Sequence, residues 1–304
     1  MSVELDVTHP VHLPAVGGVG STEPPKSGGA GFAGAGAGKA EIVRDTPESR
    51  LEILSDREEL VATWTRFGPH RDGASPHVHR EHSDLFYVLE GELTVFAGPD
   101  QIDHVLQPGT LALAPPLVVH GFRNASDADV KYLNFHGPGG GFATYIRGDA
   151  PGFDSFDPPE DGGRPLSDAY VGTGEMLSDM AGLRVALLVD VDEIAIVDVT
   201  STPGGGAPTP PLHVHERHVE SFYVLAGELA FTAGGEELRA SAGSWVQVPP
   251  NVPHTFAPVG SEPARYVNVH TPSRGFGDFT RALLAARSED ELAAARAGFD
   301  QVPA

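Results

Sequence analysis

The chain has 304 residues, no cysteine, and 42 acidic against 20 basic side chains, giving a net charge of −22 at neutral pH. Disulfides, thiolate metal sites and thiol nucleophiles are therefore excluded, and the negative field argues against nucleic acid or an acidic membrane surface as a partner. The length suits two domains of ordinary size, each able to bury its own core.

Residues 1–39 form a separate segment. Met1 to Asp6 lacks the basic start and apolar run of a signal peptide, and no stretch of the chain is long enough to span a membrane, so a cytoplasmic protein is the default expectation. The Gly/Ala-rich run at 28–38 has too little side chain to offset the entropy of ordering it and reads as a flexible linker. His9 and His12 have no third imidazole or carboxylate at fixed spacing and read as part of a mobile tail.

From 40 to 147, short strand-like runs alternate with Gly, Pro, Asn and Asp, the pattern of an all-β barrel or sandwich. This region carries His77-Val78-His79, then Asp84 at the head of a Phe-Tyr-Val-Leu run closed by Gly91, and later a Pro-rich corner leading to His120. Residues 148–172 are rich in Pro, Gly and Asp and read as a connecting loop. Between 173 and 271 the pattern returns. His213, His215 and Glu220 repeat His77, His79 and Asp84 at an offset of 136, and His254 repeats His120 at 134. The echo continues through Asn134 and His136 against Asn268 and His270, and Gly141-Phe142 against Gly275-Phe276. A period of this length is a duplicated domain. Residues 272–304 read as a helical tail. Strong helix formers occupy 281–287, and Ser288 with Glu291 makes a capping box for a second helix ended by Gly298. Its apolar face is expected to pack on a barrel, with no part in catalysis.

Two histidines two apart on a strand leave the same face and can converge on one ion. Glu220 follows His215 by an odd offset, so the chain must turn between them, through Glu216, Arg217 and His218. His82 and His218 in these turns read as solvent-facing, and Asn134 with His136, like Asn268 with His270, as hydrogen-bonded pairs inside the barrel. The candidate ligand sets are thus His77, His79, Asp84 and His120, and His213, His215, Glu220 and His254. Three imidazoles and a carboxylate suit one divalent transition metal per barrel, with Fe, Mn, Ni, Co, Cu and Zn all compatible. Asp84 is one methylene shorter than Glu220, so the first site is expected to hold its ion differently. Phe86, Phe122, Phe222 and Phe256 stand two residues beyond ligands and are candidate walls of a substrate pocket.

These motifs resemble those of the cupin superfamily, in which Gly, five residues, His-x-His, three or four residues, Glu, six residues, Gly is followed by Gly, five residues, Pro-x-Gly, two residues, His, three residues, Asn. The likeness covers the chain from about residue 40 onward, with departures at Arg71 and Ala207, at Leu117 and Asn251 in place of the second motif's Gly, and at Pro258 in place of its Asn. The resemblance implies an all-β fold of two tandem jelly-roll (double-stranded β-helix) barrels with a short C-terminal helical tail. Within it, the chain looks like the quercetinase-type (flavonol 2,4-dioxygenase) branch. That implies an oxygenase taking an enol or flavonol-type small molecule and O2, with Glu220 and Asp84 as the catalytic bases. An isomerase or decarboxylase ranks second, since a phosphosugar would want clustered cations, only three lysines exist, and the parity of Arg123 points it away from the site. A non-catalytic binding barrel is the third reading. Free sheet edges leave homo-oligomers open.

Overall fold

The computed structural model describes residues 6–8, 40–148, 153–165, 170–205 and 209–304. His9, His12 and the Gly/Ala-rich run lie outside them. Each half forms a β-barrel from a seven-stranded and a smaller antiparallel sheet. The large sheet of barrel one runs in the order Tyr170–Gly172, Leu111–Ala114, Ser83–Glu90, Val130–Gly137, Val61–Phe67, Ser49–Asp56, Glu41–Asp45, and that of barrel two Asp6–Thr8, Trp245–Val248, Val219–Ala226, Ala264–Thr271, Ile194–Ser201, Leu183–Val191, Glu175–Met180. The smaller sheets contain His120–Asn124 and Leu93–Ala97 in barrel one, and His254–Val259, His213–Val214 and Val302–Pro303 in barrel two.

The Phe-Tyr-Val-Leu strands are apolar without alternation because both their faces are covered. Phe86 and Val88 enter the interior of barrel one, and Phe222 and Val224 that of barrel two. Leu85, Tyr87 and Tyr223 leave from the opposite faces and join Trp64, Phe135, Ile196 and Trp245 in one cluster shared by the two barrels. Polar pairs also cross this interface, although Trp64 Nε1, Trp245 Nε1 and the Tyr223 hydroxyl are buried in it without a hydrogen-bond partner. The Tyr87 hydroxyl donates to Asp198 at 2.8 Å, Asp198 accepts from Arg265, and Gln247 donates to Ser55 at 3.0 Å.

Two strands come from segments read as linkers. Tyr170–Gly172, expected within the connecting loop, pairs with Leu111–Ala114 of barrel one, and Asp6–Thr8, expected within the flexible segment, pairs with Trp245–Val248 of barrel two. Each barrel thus receives an edge strand from the segment that leads into the other.

Three helices complete the described residues: α1 (Phe142–Ile146), α2 (Phe276–Ala285) and α3 (Glu289–Ala297). Within the expected tail, α2 begins ahead of the helix-forming run at 281–287, with Gly275 at φ 81° as its N-cap a few residues after the strand Ala264–Thr271. Ser288 caps α3 by accepting from the Glu291 N–H at 3.2 Å, as expected, but the Glu291 carboxylate accepts from the N–H of Arg287 in place of Ser288. None of the described helices is long and apolar enough to cross a membrane.

Where the second motif lacks its glycine, the backbone keeps the glycine conformation, with Leu117 at φ 68° and Asn251 at φ 65°. The reason lies next door, since the Leu117 N–H donates to the carbonyl of His79 and the Asn251 N–H to that of His215, both at 2.7 Å. Asn tolerates this region, whereas a γ-branched side chain is strained there by about 1–2 kcal/mol. Leu117 is 42% exposed and loses little by truncation. Leu117→Gly is therefore expected to stabilise the protein by up to about 1 kcal/mol after the added freedom of the unfolded chain, read as a higher midpoint in urea denaturation, whereas Asn251→Gly should change it by only a few tenths.

Candidate metal centres

His77 stands directly opposite His120 in an antiparallel bridge, as His213 does opposite His254. His79 and His215 follow two residues on, and Asp84 and Glu220 enter from the strands Ser83–Glu90 and Val219–Ala226 after the predicted turn. In each barrel one ligand atom from each of these four side chains lies within 4.8 Å of the others. All eight residues are buried apart from half-buried His77.

The imidazole tautomers are fixed by the main chain. Nδ1 of His77, His120, His213 and His254 lies 2.7–2.9 Å from the carbonyls of Ser75, Val118, Pro211 and Val252, in each case two residues earlier. Nδ1 of His79 and His215 meets the carbonyls of Asp154 and Asp300, both at 2.5 Å. A carbonyl can only accept, so every Nδ1 carries a proton and every Nε2 is turned to the centre, open to an ion or to a second proton. The carboxylates are oriented as well. Asn134 donates to Asp84 Oδ1 at 2.5 Å and Asn268 to Glu220 Oε1 at 3.1 Å, which leaves the second oxygen facing the imidazoles.

The centre therefore collects Nε2 atoms around a carboxylate oxygen. In barrel one, Nε2 of His79 and of His120 are buried without a hydrogen-bond partner, and Asp84 Oδ2 approaches them to 3.8 and 3.3 Å. In barrel two, Glu220 Oε2 lies 4.0, 3.1 and 2.7 Å from Nε2 of His213, His215 and His254. In barrel two Nε2 of His215 and of His254 lie at hydrogen-bond distance from Glu220 Oε2, contacts that a proton or a cation can hold together, and imidazole nitrogen with carboxylate oxygen is a donor set for a divalent transition ion. The shorter Asp84 side chain stands further back than Glu220, the difference expected from its missing methylene.

Electrostatics follow the same geometry. Burial pushes the Asp84 and Glu220 carboxyls up, but the surrounding histidines outweigh it and hold both well below the usual carboxylate range. Burial and the neighbouring rings bring His77 down to about 4, and burial brings His213 down to about 4, so both stay neutral and available as ligands. His215 is the exception. Burial lowers it, but its contact with Glu220 prevails and raises it.

A further layer was not legible from spacing. His82 and His218, expected to face solvent, are 0% and 1% exposed. Their burial comes from residues that follow each barrel, Phe153-Asp154 and Phe299-Asp300. Asp154 accepts from the N–H groups of Arg80 and Glu81 and contacts His82 Nδ1 at 2.9 Å, and Asp300 does the same with Glu216, Arg217 and His218. Each aspartate thus clamps the ligand turn with its side chain and the second histidine of the His-x-His pair with its carbonyl. Phe153 packs on His79 and His82, and Phe299 on His215 and His218. From the clamp a chain of contacts runs inward, His82 to His136 at 3.0 Å and His136 to Asn134 at 3.1 Å, matched by His218 to His270 at 2.9 Å and His270 to Asn268 at 3.0 Å. The Asn and His pairs are hydrogen-bonded inside the barrels, as expected. Phe142, opening α1, stacks on His136, and Phe276, opening α2, on His270. The signal in the sequence was a Gly-Phe-Asp triplet ending at Asp154 and again at Asp300, an offset of 146 that breaks the frame of the other repeats.

Each centre opens into a chamber. The chamber of barrel two, about 220 Å³, lies beneath α2 and α3 and is walled by Val185, Val197, Val199, Phe256, Phe279 and Leu283. That of barrel one, about 600 Å³, includes Phe86 and Phe122. Phe222, expected as a wall, is fully buried between Phe231, Phe256 and Tyr266. Arg123 points away from the centre, as its parity implied, and is ion-paired with Asp103.

Double barrels with histidine and carboxylate clusters at their centres define a class of metal-binding β-barrel proteins. The model of the cupin domain matches residues 63–136 and again 199–270, and the chain belongs to the cupin superfamily as a protein with two cupin domains. Over 71 residues it is 34% identical to quercetin 2,3-dioxygenase of Bacillus subtilis (strain 168), a match covering 23% of this chain and 20% of that protein. The chain thus aligns with only about a fifth of that relative's length. Among solved structures, a mutant of the oxalate decarboxylase of Bacillus subtilis superposes with a TM-score of 0.52 at 16% identity, covering 83% of each chain. The putative glyoxylate-induced protein of Pseudomonas aeruginosa gives 0.54 at 18% identity, covering 75% of this chain and 83% of that one. AerE of Microcystis aeruginosa gives 0.54 at 14%, covering 76% and 96%. These likenesses speak for the double-barrel fold alone.

The aspartate clamps supply a test. Asp300→Ala removes the side-chain contacts to Glu216, Arg217 and His218 while leaving the carbonyl, and loss of such a supporting contact typically costs about 10–100-fold in metal affinity. Competition with a chromophoric chelator should show this loss at one of two sites, with the far-UV circular dichroism unchanged.

Proposed function

We propose that the protein is a metal-dependent oxygenase whose reaction takes place in barrel two, on an enol of flavonol type with O2 as co-substrate. The observation that carries the reading is a three-histidine, one-glutamate centre at the base of an apolar chamber roofed by α2 and α3. The partial identity with a quercetin dioxygenase supports it. A divalent transition metal held by His213, His215, Glu220 and His254 supplies Lewis acidity toward the enol oxygen and redox access to dioxygen.

The chain's own residues do the rest. Glu220 is a carboxylate throughout the neutral range, held there by the histidines around it. Its Oε1 is held by Asn268 and its Oε2 faces the imidazoles, so Oε2 accepts the proton of the enol O–H as it gives up its contacts with His215 and His254. The wall of Val185, Val197, Val199 and Phe256 excludes water and accepts a flat apolar body. Arg296, on α3 at the edge of this chamber, has its Nε buried without a hydrogen-bond partner and can meet a polar substituent at the far end of the substrate. A decarboxylase acting on a small dianion such as oxalate fits this wall less well, since it would lie against apolar side chains with one cation at the rim.

Oxygen uptake on protein reconstituted with each candidate metal, with 3-hydroxyflavone and quercetin as substrates, tests the proposal. A substrate-dependent rate is expected with at least one metal. Glu220→Gln, compared at equal metal content, should lose about 100-fold or more of that rate, the range for a general base, while Asp84→Asn stays within about threefold. No substrate-dependent uptake with any of the metals would reject the reading.

A further inference from the structure

The two chambers share one frame but not one chemistry. Ladder registers align them wall by wall. Ser49 pairs with Phe67, Leu51 with Thr65 and Thr63 with Asn134 in barrel one, as Leu183 pairs with Ser201, Val185 with Val199 and Val197 with Asn268 in barrel two. Residues directly opposite in an antiparallel pair share a face. Thr63 is thus beside the asparagine that orients Asp84, and Val197 beside the one that orients Glu220. At these inner positions barrel one carries Ser49, Thr63 and Thr65, where barrel two carries Leu183, Val197 and Val199, and the exchange runs the other way only at Phe67, where barrel two carries Ser201.

Two of these hydroxyls of barrel one are unspent. Ser49 Oγ and Thr63 Oγ1 are buried without a hydrogen-bond partner, on residues 3% and 1% exposed, and both residues line the chamber. A buried hydroxyl without a partner is costly, whereas a valine of the same shape has no such need. The wider chamber also has charged residues of both signs in its lining, Arg44 and Arg71 with Asp72 and Asp157, whereas α2 and α3 present mainly leucine and phenylalanine to the other.

We propose that the chain is a two-ligand protein, in which barrel one binds a small polyhydroxylated molecule through Ser49 and Thr63 and barrel two the apolar aromatic enol. The second half rests on the functional reading above, and the first half is independent of it. Thr63 and Val197 are the residues that separate the two specificities.

Calorimetric titration of metal-loaded protein under argon tests this without turnover, using gluconate, its unhydroxylated counterpart hexanoate, and 3-hydroxyflavone as probes. Gluconate is expected to bind at least tenfold more tightly than hexanoate. Thr63→Val, an isosteric change that keeps the fold, should weaken gluconate five- to tenfold and leave 3-hydroxyflavone unchanged, and Ser49→Ala should act in the same direction. Val197→Thr should weaken 3-hydroxyflavone and leave gluconate unchanged. Equal affinity for gluconate and hexanoate, no saturable binding of gluconate, or indifference of gluconate to Thr63→Val would overturn the assignment of barrel one. Weakened 3-hydroxyflavone binding in Thr63→Val would overturn the separation of the chambers. Since no oxygen is consumed, failure of the oxygenase reading shows in the uptake assay and not here.

Discussion

The two histidine and carboxylate clusters depend on six main-chain carbonyls. An imidazole offers a lone pair at either nitrogen, and a cluster of three would ordinarily be a mixture of tautomers. Here each Nδ1–H is committed to a carbonyl, so three Nε2 atoms converge in each barrel. Two of the three carbonyls lie two residues before their histidine and come with the local backbone. The third comes from Asp154 or Asp300, residues that reach the site only after the chain has left the barrel. A barrel alone therefore builds two-thirds of its tautomer control, and the segment that follows it completes the set.

That division also marks what could be read from sequence. Strand parity is a local property, and it was enough to bring His77, His79 and His120 together with Asp84, and His213, His215 and His254 together with Glu220. The offset of Glu220 required a turn, and a turn is there. What parity cannot convey is what lies over the turn. His82 and His218 sit in polar runs that read as exposed, and they are buried because Phe153 and Phe299 cover them. Those phenylalanines repeat at a spacing different from that of the motifs, in stretches whose composition suggests a loop and a helical tail. Phe222 illustrates the same limit, since its parity points inward as expected but Phe231 and Phe256 fill the space in front of it. Leu117 and Asn251 depart from the family's residue type and keep its backbone, so the motif's glycine marks a shape more than a residue.

The inner shells of the two centres are nearly superimposable in their partners, down to the asparagine, the second histidine and the stacked phenylalanine. Divergence is confined to one carboxylate and to the walls. This is the pattern expected when the apparatus that orients ligands tolerates little change, because each polar group in it is buried and committed, while side chains facing a cavity can be exchanged at the cost of a few contacts.

The exchanged edge strands have a consequence for how such a chain can evolve. Tyr170–Gly172 closes the sheet edge of barrel one and Asp6–Thr8 that of barrel two, while both large sheets bury their outer faces against each other. Deleting either half would strip the survivor of an edge strand and bare an apolar sheet face, an invitation to aggregation. Neither copy is dispensable as a scaffold, even if its chemistry is. A duplicated site in this arrangement is thus retained whether or not it is used, and is free to acquire a different ligand while its twin keeps the original one.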